Sequence, residues 1–261
     1  MLDAAGSAGR AAQPEDQRRG SGDDPARPAG EPSERASQRH RHHRDHEPTP
    51  PHDLELTARR RRIADALPGF FPPAELAALV AAAERAPAGG GWLVELGAYC
   101  GRSTIALGSV AADRGLYLLS VDHHRGSIEQ RPPFPWADPR VRDGDLGTID
   151  SLGTLRDALR LAALEEVVVA WVGTNLALAS WARPLAGLVL IDGGHDALNA
   201  HLDLELARSL LVPGGLLCIH DVYEDPRDGG QAPWRVLVAA LHLKFRLVAR
   251  HGSLAVLEAG R

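Results

Sequence analysis

Five short apolar stretches, each running straight into glycines and polar residues, constrain this chain more than any other feature: 92–96, 116–121, 167–172, 188–191 and 216–219. Each is short and nearly continuous in apolar character, so each reads as a strand covered on both faces. The segments between them read as helices: Ser103 to about Ala112, Leu152 to Leu164, Leu176 to Ala182 and His195 to Leu211, the last stopped by Pro213-Gly214-Gly215. Strands alternating with helices predict a doubly wound α/β domain with a mostly parallel sheet. A further helix, from about Ala232 to Leu243, leads to a hairpin of Phe245–Ala249 against Leu254–Leu257 through His251-Gly252-Ser253. The hairpin brings the expected count to seven strands, with one antiparallel strand at or near the C-terminal edge.

Ahead of the first strand the pattern becomes helical at Leu54, and Pro72-Pro73 opens a second, Ala-rich helix through Ala83. Before that lies a different kind of sequence. Residues 1–52 hold only two large apolar residues, Met1 and Leu2, against seven prolines, eight arginines, nine acids and five histidines. Such a segment buries too little surface to offset its ordering entropy, and is expected to be a disordered polar tail. Its His40–His46 stretch could in principle take up a transition metal, but reads as incidental. The domain proper is 53–261, with N-terminal helices over 53–90 and the sheet core over 91–261.

Removing the tail leaves 21 basic and 25 acidic residues, and Lys244 is the sole lysine of the chain. A net-negative body of this kind argues against a nucleic-acid partner. Two cysteines cannot form a disulfide scaffold, and suit a reducing compartment. The longest uncharged run, Val167 to Ala182, has 16 residues and is interrupted by Gly173-Thr174-Asn175, short of a membrane span. No apolar signal-peptide core precedes it in residues 1–52. The expectation is a cytoplasmic protein with no membrane partner, and a homo-oligomer is compatible with the sequence.

In such sheets ligands bind beyond the carboxyl ends of the strands, where the strand order switches. The polar residues directly after the strands are Gly97 to Thr104, Asp122 to Arg125, Gly173 to Asn175, Asp192 to His195, and His220-Asp221. Around the first glycine turn, Glu95 to Gly101, the pattern is acid-x-G-x-x-x-G, where a dinucleotide fingerprint wants G-x-G-x-x-G. Its glycines permit close backbone approach, and the following helix N-terminus faces the ligand. An acid inside the turn repels phosphate and attracts an ammonium group. A ligand with an amino-acid end, such as S-adenosylmethionine, therefore fits better than NAD. Asp122 ends the next strand and can accept both hydroxyls of a ribose, or else cap its own loop. Asp192 and Asp221, with His220, can hold a hard divalent cation that lowers the pKa of an acceptor hydroxyl while His195 takes the proton. The competing reading has Asp192 and His195 capping the following helix, Asp221 starting a turn, and His220 as a core histidine.

The run Val94-Glu95-Leu96-Gly97 through Gly101-Arg102-Ser103-Thr104, then Ser120-Val121-Asp122, Ile191-Asp192-Gly193-Gly194-His195, Leu211-Val212-Pro213-Gly214-Gly215 and His220-Asp221-Val222 resembles the class I S-adenosylmethionine-dependent methyltransferases. Within them it is most similar to the methyltransferase domain 24 family, related to macrocin-type sugar O-methyltransferases. The resemblance spans roughly Gly91 to Leu257 and implies a Rossmann-like fold, with methyl transfer to a small-molecule acceptor at oxygen. It also implies roles. Glu95, Gly97 and Gly101 form the donor loop, Ser103 begins its helix, Asp122 holds the ribose, and the Gly173-Thr174-Asn175 corner, through Thr174, meets the adenine. Asp192 and Asp221 match magnesium ligands and His195 matches the base. His220-Asp221 departs from the two consecutive acids of some relatives, and the adenine corner lacks the usual acid. A metal-independent methyltransferase, a non-catalytic S-adenosylmethionine-binding module and an NAD-linked oxidoreductase are the alternatives.

The remaining features read as structural or peripheral. Cys100 and Cys218 are expected as fillers, and Trp92, Trp171 and Trp181 as packing. His123, His124 and Arg125 could line the acceptor pocket. Trp136, in the long Pro/Asp/Gly-rich loop 123–148, is placed to cover an acceptor ring, with Trp234 closing the other side. Asp203 is expected to be solvated or bracing its helix, and Arg59 to Arg62 to form a solvated face.

Overall fold

Helix α1 (Pro51–Ala66) and helix α2 (Pro73–Arg85) precede strand β1 (Trp92–Leu96), in a computed structural model that describes residues 51–134, 136–141, 148–194, 196–229 and 231–260, the side chains of 51–54 and 128 excepted. There follow α3 (Arg102–Asp113), β2 (Tyr117–Asp122), α4 (Leu152–Ala162), β3 (Val168–Val172), α5 (Asn175–Ala179), β4 (Ala186–Ile191), α6 (Ala197–Leu210), β5 (Leu211–Ile219), α7 (Gln231–His242), β6 (Arg246–His251) and β7 (Leu254–Glu258). The seven strands form one sheet in the order β3-β2-β1-β4-β5-β7-β6. β1 to β5 are mutually parallel, and β7 pairs antiparallel with both β5 and β6. This is the expected Rossmann-like α/β fold, with its antiparallel strand one place in from the edge.

Alternation along the central strands divides the core in two. Leu93, Leu118, Leu188 and Leu190 pack with α2, α3 and α4, whereas Val94, Leu96, Val189 and Ile191 pack with α6 and α7. A strand apolar at every position is what two covered faces require. Among the described residues no helix is long and apolar enough to cross a membrane.

Four expectations are corrected. The helix ahead of Pro213-Gly214-Gly215 ends at Leu210, and β5 starts at once with Leu211 opposite Ala186. Pro213 lacks an amide proton and Gly214 takes φ 73°, so Val212 to Gly215 bulge out of the ladder, which resumes at Leu216 opposite Leu188. Arg60 is buried, not solvated; its Nε donates to the Ala162 carbonyl at 3.0 Å, a cation set on the C-terminus of α4. Asp203 is also buried. Trp181, expected in the packing, is 70% exposed, just beyond the end of α5 at Ala179.

Candidate functional site

The strand order reverses at β1, whose neighbours are β2 on one side and β4 on the other. The carboxyl ends of these strands and of β5 carry most of the residues the sequence pointed to. Gly97 makes this convergence possible. It has φ 99°, and a Cβ there would lie 2.2 Å from the Asp192 carbonyl oxygen. The loops after β1 and β4 therefore touch backbone to backbone, at a spacing that only glycine allows.

On the β1–β2 side, Glu95 is fully buried. Its Oε2 accepts from Thr104 Oγ1 at 2.6 Å and Ser120 Oγ at 2.8 Å, while its Oε1 has no hydrogen-bond partner among the described residues. Burial lifts its pKa to about 7, against the opposing hydroxyls of Ser103, Thr104 and Ser120. Among the described residues no cation pairs with it, so an ammonium group is the natural complement of that oxygen. Ser103 is buried in the first turn of α3, and Gly101 precedes that helix in the left-handed region at φ 95°. Asp122 organises the same turn: Oδ2 accepts from the amides of Ala98 at 2.9 Å and Tyr99 at 2.8 Å, and Oδ1 from His124 at 2.7 Å. A carboxylate offers about four acceptor positions, so capacity is left for a ribose hydroxyl.

On the β4–β5 side, Asp192, His220 and Asp221 each offer a ligand atom within 4.8 Å of the others. His220 Nδ1 lies 2.8 Å from Asp192 Oδ1 and 3.7 Å from Asp221 Oδ1. Its Nε2 lies 3.1 Å from Oε2 of Glu75 in the first turn of α2, and its ring stacks on Phe71 at 3.8 Å. Burial alone would lower the imidazole pKa; the carboxylates of Asp192, Asp221 and Glu75 outweigh it and raise it to about 9. Asp192 and Asp221 supply the oxygen donors that suit a hard cation. His220, with both nitrogens turned to carboxylates, would have to exchange one of those bonds to ligate. The cap of α6 is Asp196, whose Oδ1 accepts from the Asn199 amide at 3.0 Å. His195 lies outside the described residues.

Elsewhere the expectations divide. Thr174 is exposed and caps α5, accepting from the Ala177 amide at 3.3 Å. Beside it Asn175 Nδ2 donates to Asp203 Oδ1 at 2.6 Å, and burial lifts the pKa of Asp203 to about 6. His124 is buried, with Nδ1 at 2.8 Å from Ser151 Oγ. The thiols of Cys100 and Cys218 are buried and pushed up to about 12, as fillers would be. Trp136 meets the edge of Phe70, which stacks on Tyr99 of the glycine turn, giving an aromatic wall above the β1 loop. A cavity of about 610 Å³ begins at Val222 and is lined by Tyr223, Glu224, Arg250 and Gly252. Glu75 and Asp196 were not singled out in the sequence; the second, an Asp just ahead of an apolar helix, carried an ordinary capping signal.

A methyltransferase-domain family matches residues 94–222, from β1 through the acid cluster. Over that stretch the chain is a methyltransferase domain, in line with the resemblance read from the sequence. Solved structures agree in fold. The SAH-bound methyltransferase of Podospora anserina is 14% identical with a TM-score of 0.54, over 79% of this chain and 87% of that one. A cofactor-bound protein from MTB is 19% identical with a TM-score of 0.53, over 78% and 89%. The O-methyltransferase of Bacillus cereus, in complex with SAH, is 16% identical with a TM-score of 0.52, over 80% and 91%.

Proposed function

We propose that this methyltransferase moves a methyl group from S-adenosylmethionine to a hydroxyl of a small-molecule acceptor, with a divalent cation held by Asp192 and Asp221. The observation that carries the reading is the free Oε1 of buried Glu95, one loop contact away from the Asp192–His220–Asp221 cluster. Glu95 binds the donor's ammonium, Asp122 accepts from its ribose, and the Gly97–Gly101 turn with Ser103 brings backbone against its amino-acid end. Thr174 and Asn175 border the adenine. Asp192 and Asp221 sit where the acceptor oxygen would arrive. Magnesium, when bound there, supplies Lewis acidity that lowers the pKa of that oxygen. His195, next in chain to the Asp192 loop, takes the proton. Alignment of donor and acceptor then supplies several kcal/mol of the barrier reduction. The SAH found in structural relatives supports the same donor.

The test is calorimetric titration of the protein with S-adenosylhomocysteine, in magnesium and in chelator, with NAD as control. Micromolar binding of S-adenosylhomocysteine and none of NAD is the expected result. Binding of NAD in place of it would overturn the reading, and turnover that persists in chelator would remove the cation.

A further inference from the structure

Glu75 has no place in the chemistry proposed above, yet it is buried and fully engaged. It stands in the first turn of α2 and reaches two distant parts of the chain. Its Oε2 lies 3.1 Å from His220 Nε2 and accepts from Ser253 Oγ at 2.7 Å, while Oε1 accepts from the Ser253 amide at 3.0 Å. A Cβ on Gly252 would lie 2.2 Å from Glu75 Oε1, so the hairpin turn closes directly onto this carboxylate. Gly252 also lines the cavity that begins at Val222. On its far side His220 meets Asp192 Oδ1 at 2.8 Å, and Phe71, from the loop ahead of α2, covers the ring face at 7° from parallel.

The ring is held between two carboxylates, so rotating it would give up the contacts to Glu75 and Asp192 together. We infer that Glu75 is a positioning residue: through His220 it fixes the Asp192 carboxylate, and through Ser253 it joins the hairpin wall of the neighbouring cavity to the same point. The proposal rests on the reading of Asp192 as an acceptor-side residue. It assigns to the N-terminal helix pair a part in the site that its position outside the sheet core does not suggest.

The experiment compares Glu75→Gln with Ser253→Ala in full-length protein labelled on histidine nitrogen. A sheltered His220 ring N–H signal, identified by its loss in His220→Gln, is followed by NMR together with S-adenosylhomocysteine affinity. Glu75→Gln is expected to speed exchange of that proton at least tenfold with affinity for S-adenosylhomocysteine unchanged within about twofold, whereas Ser253→Ala leaves the exchange rate near wild type. A merely structural tether predicts the same change in both variants, and that result would overturn the inference. So would a rapidly exchanging His220 ring in the wild type, which needs no variant to be read. Failure of the wild type to bind S-adenosylhomocysteine would instead count against the proposed function, leaving the His220 measurement to stand alone.

Discussion

Glu95 and Asp192 lie at the ends of adjacent strands, and the protein treats their charges in opposite ways. Glu95 is sealed among hydroxyls with one oxygen unpartnered, and burial holds its pKa near 7. Asp192 shares an imidazole with Asp221 and Glu75, and the three carboxylates keep that imidazole cationic up to about pH 9. The first site is short of a positive charge and the second carries one of its own. A charge left unpaired in a low-dielectric interior is costly, and it persists where a ligand completes it. The Glu95 corner, proposed above for the donor, is thus left to be completed by an ammonium group. The Asp192 corner, proposed for the acceptor, is already internally braced.

That contrast can be broken most severely where the two corners touch. Gly97→Ala forces a Cβ against the Asp192 carbonyl at a left-handed φ, and is expected to cost about 3 kcal/mol or more, read as a lower urea midpoint, with loss of S-adenosylhomocysteine binding. Next in size is the removal of Glu95's charge. Its folded pKa of about 7 lies above the ordinary 4.5, so its contribution to stability is full below about pH 4.5 and lost as pH climbs through 7. Glu95→Gln should abolish that decline, a difference of about 3 kcal/mol at 1.36 kcal/mol per unit. Urea titrations at pH 5 and pH 8 measure it. If an ammonium complements Oε1, the wild type should also bind S-adenosylhomocysteine more tightly as pH rises through 7, and the Gln variant should not.

Asp122→Ala removes the acceptor of three backbone amides in the donor turn, and should weaken S-adenosylhomocysteine binding at least tenfold by calorimetry. A loss of acceptor turnover with donor affinity intact would place Asp122 on the wrong side of the comparison. The smallest effect is expected at Phe71→Leu, which removes the ring stacked on His220 and should cost about 1 kcal/mol in urea unfolding with donor affinity unchanged.

The proposed donor corner was legible because its determinants are local. Glu95, Gly97, Gly101 and Ser103 lie within one strand-turn-helix, and β1 falls on the residues that the apolar run marked. The clustering of Asp192 with Asp221 was legible from their places after β4 and β5. Glu75 was not, since it is an acid in an Ala-rich helix whose partners lie 145 and 178 residues away. Arg60 was misread for a similar reason: a run of arginines on a polar helix carries no sign that one of them will meet a helix end 102 residues further on. The Leu210–Leu211 corner misled because proline and glycine read as a stop, when a bulged strand accommodates them equally well.

The placement of β7 has a consequence for how the protein is made. Leu254–Glu258, buried along most of its length, is laid down after every other strand, yet it sits between β5 and β6. On the ribosome, β5 must wait with an open edge until translation has passed Glu258, and β6 has no neighbour at all before then. A message cut short by a handful of codons in that region would yield a protein with every proposed donor and acceptor residue present and its sheet open, an edge fit for aggregation or proteolysis.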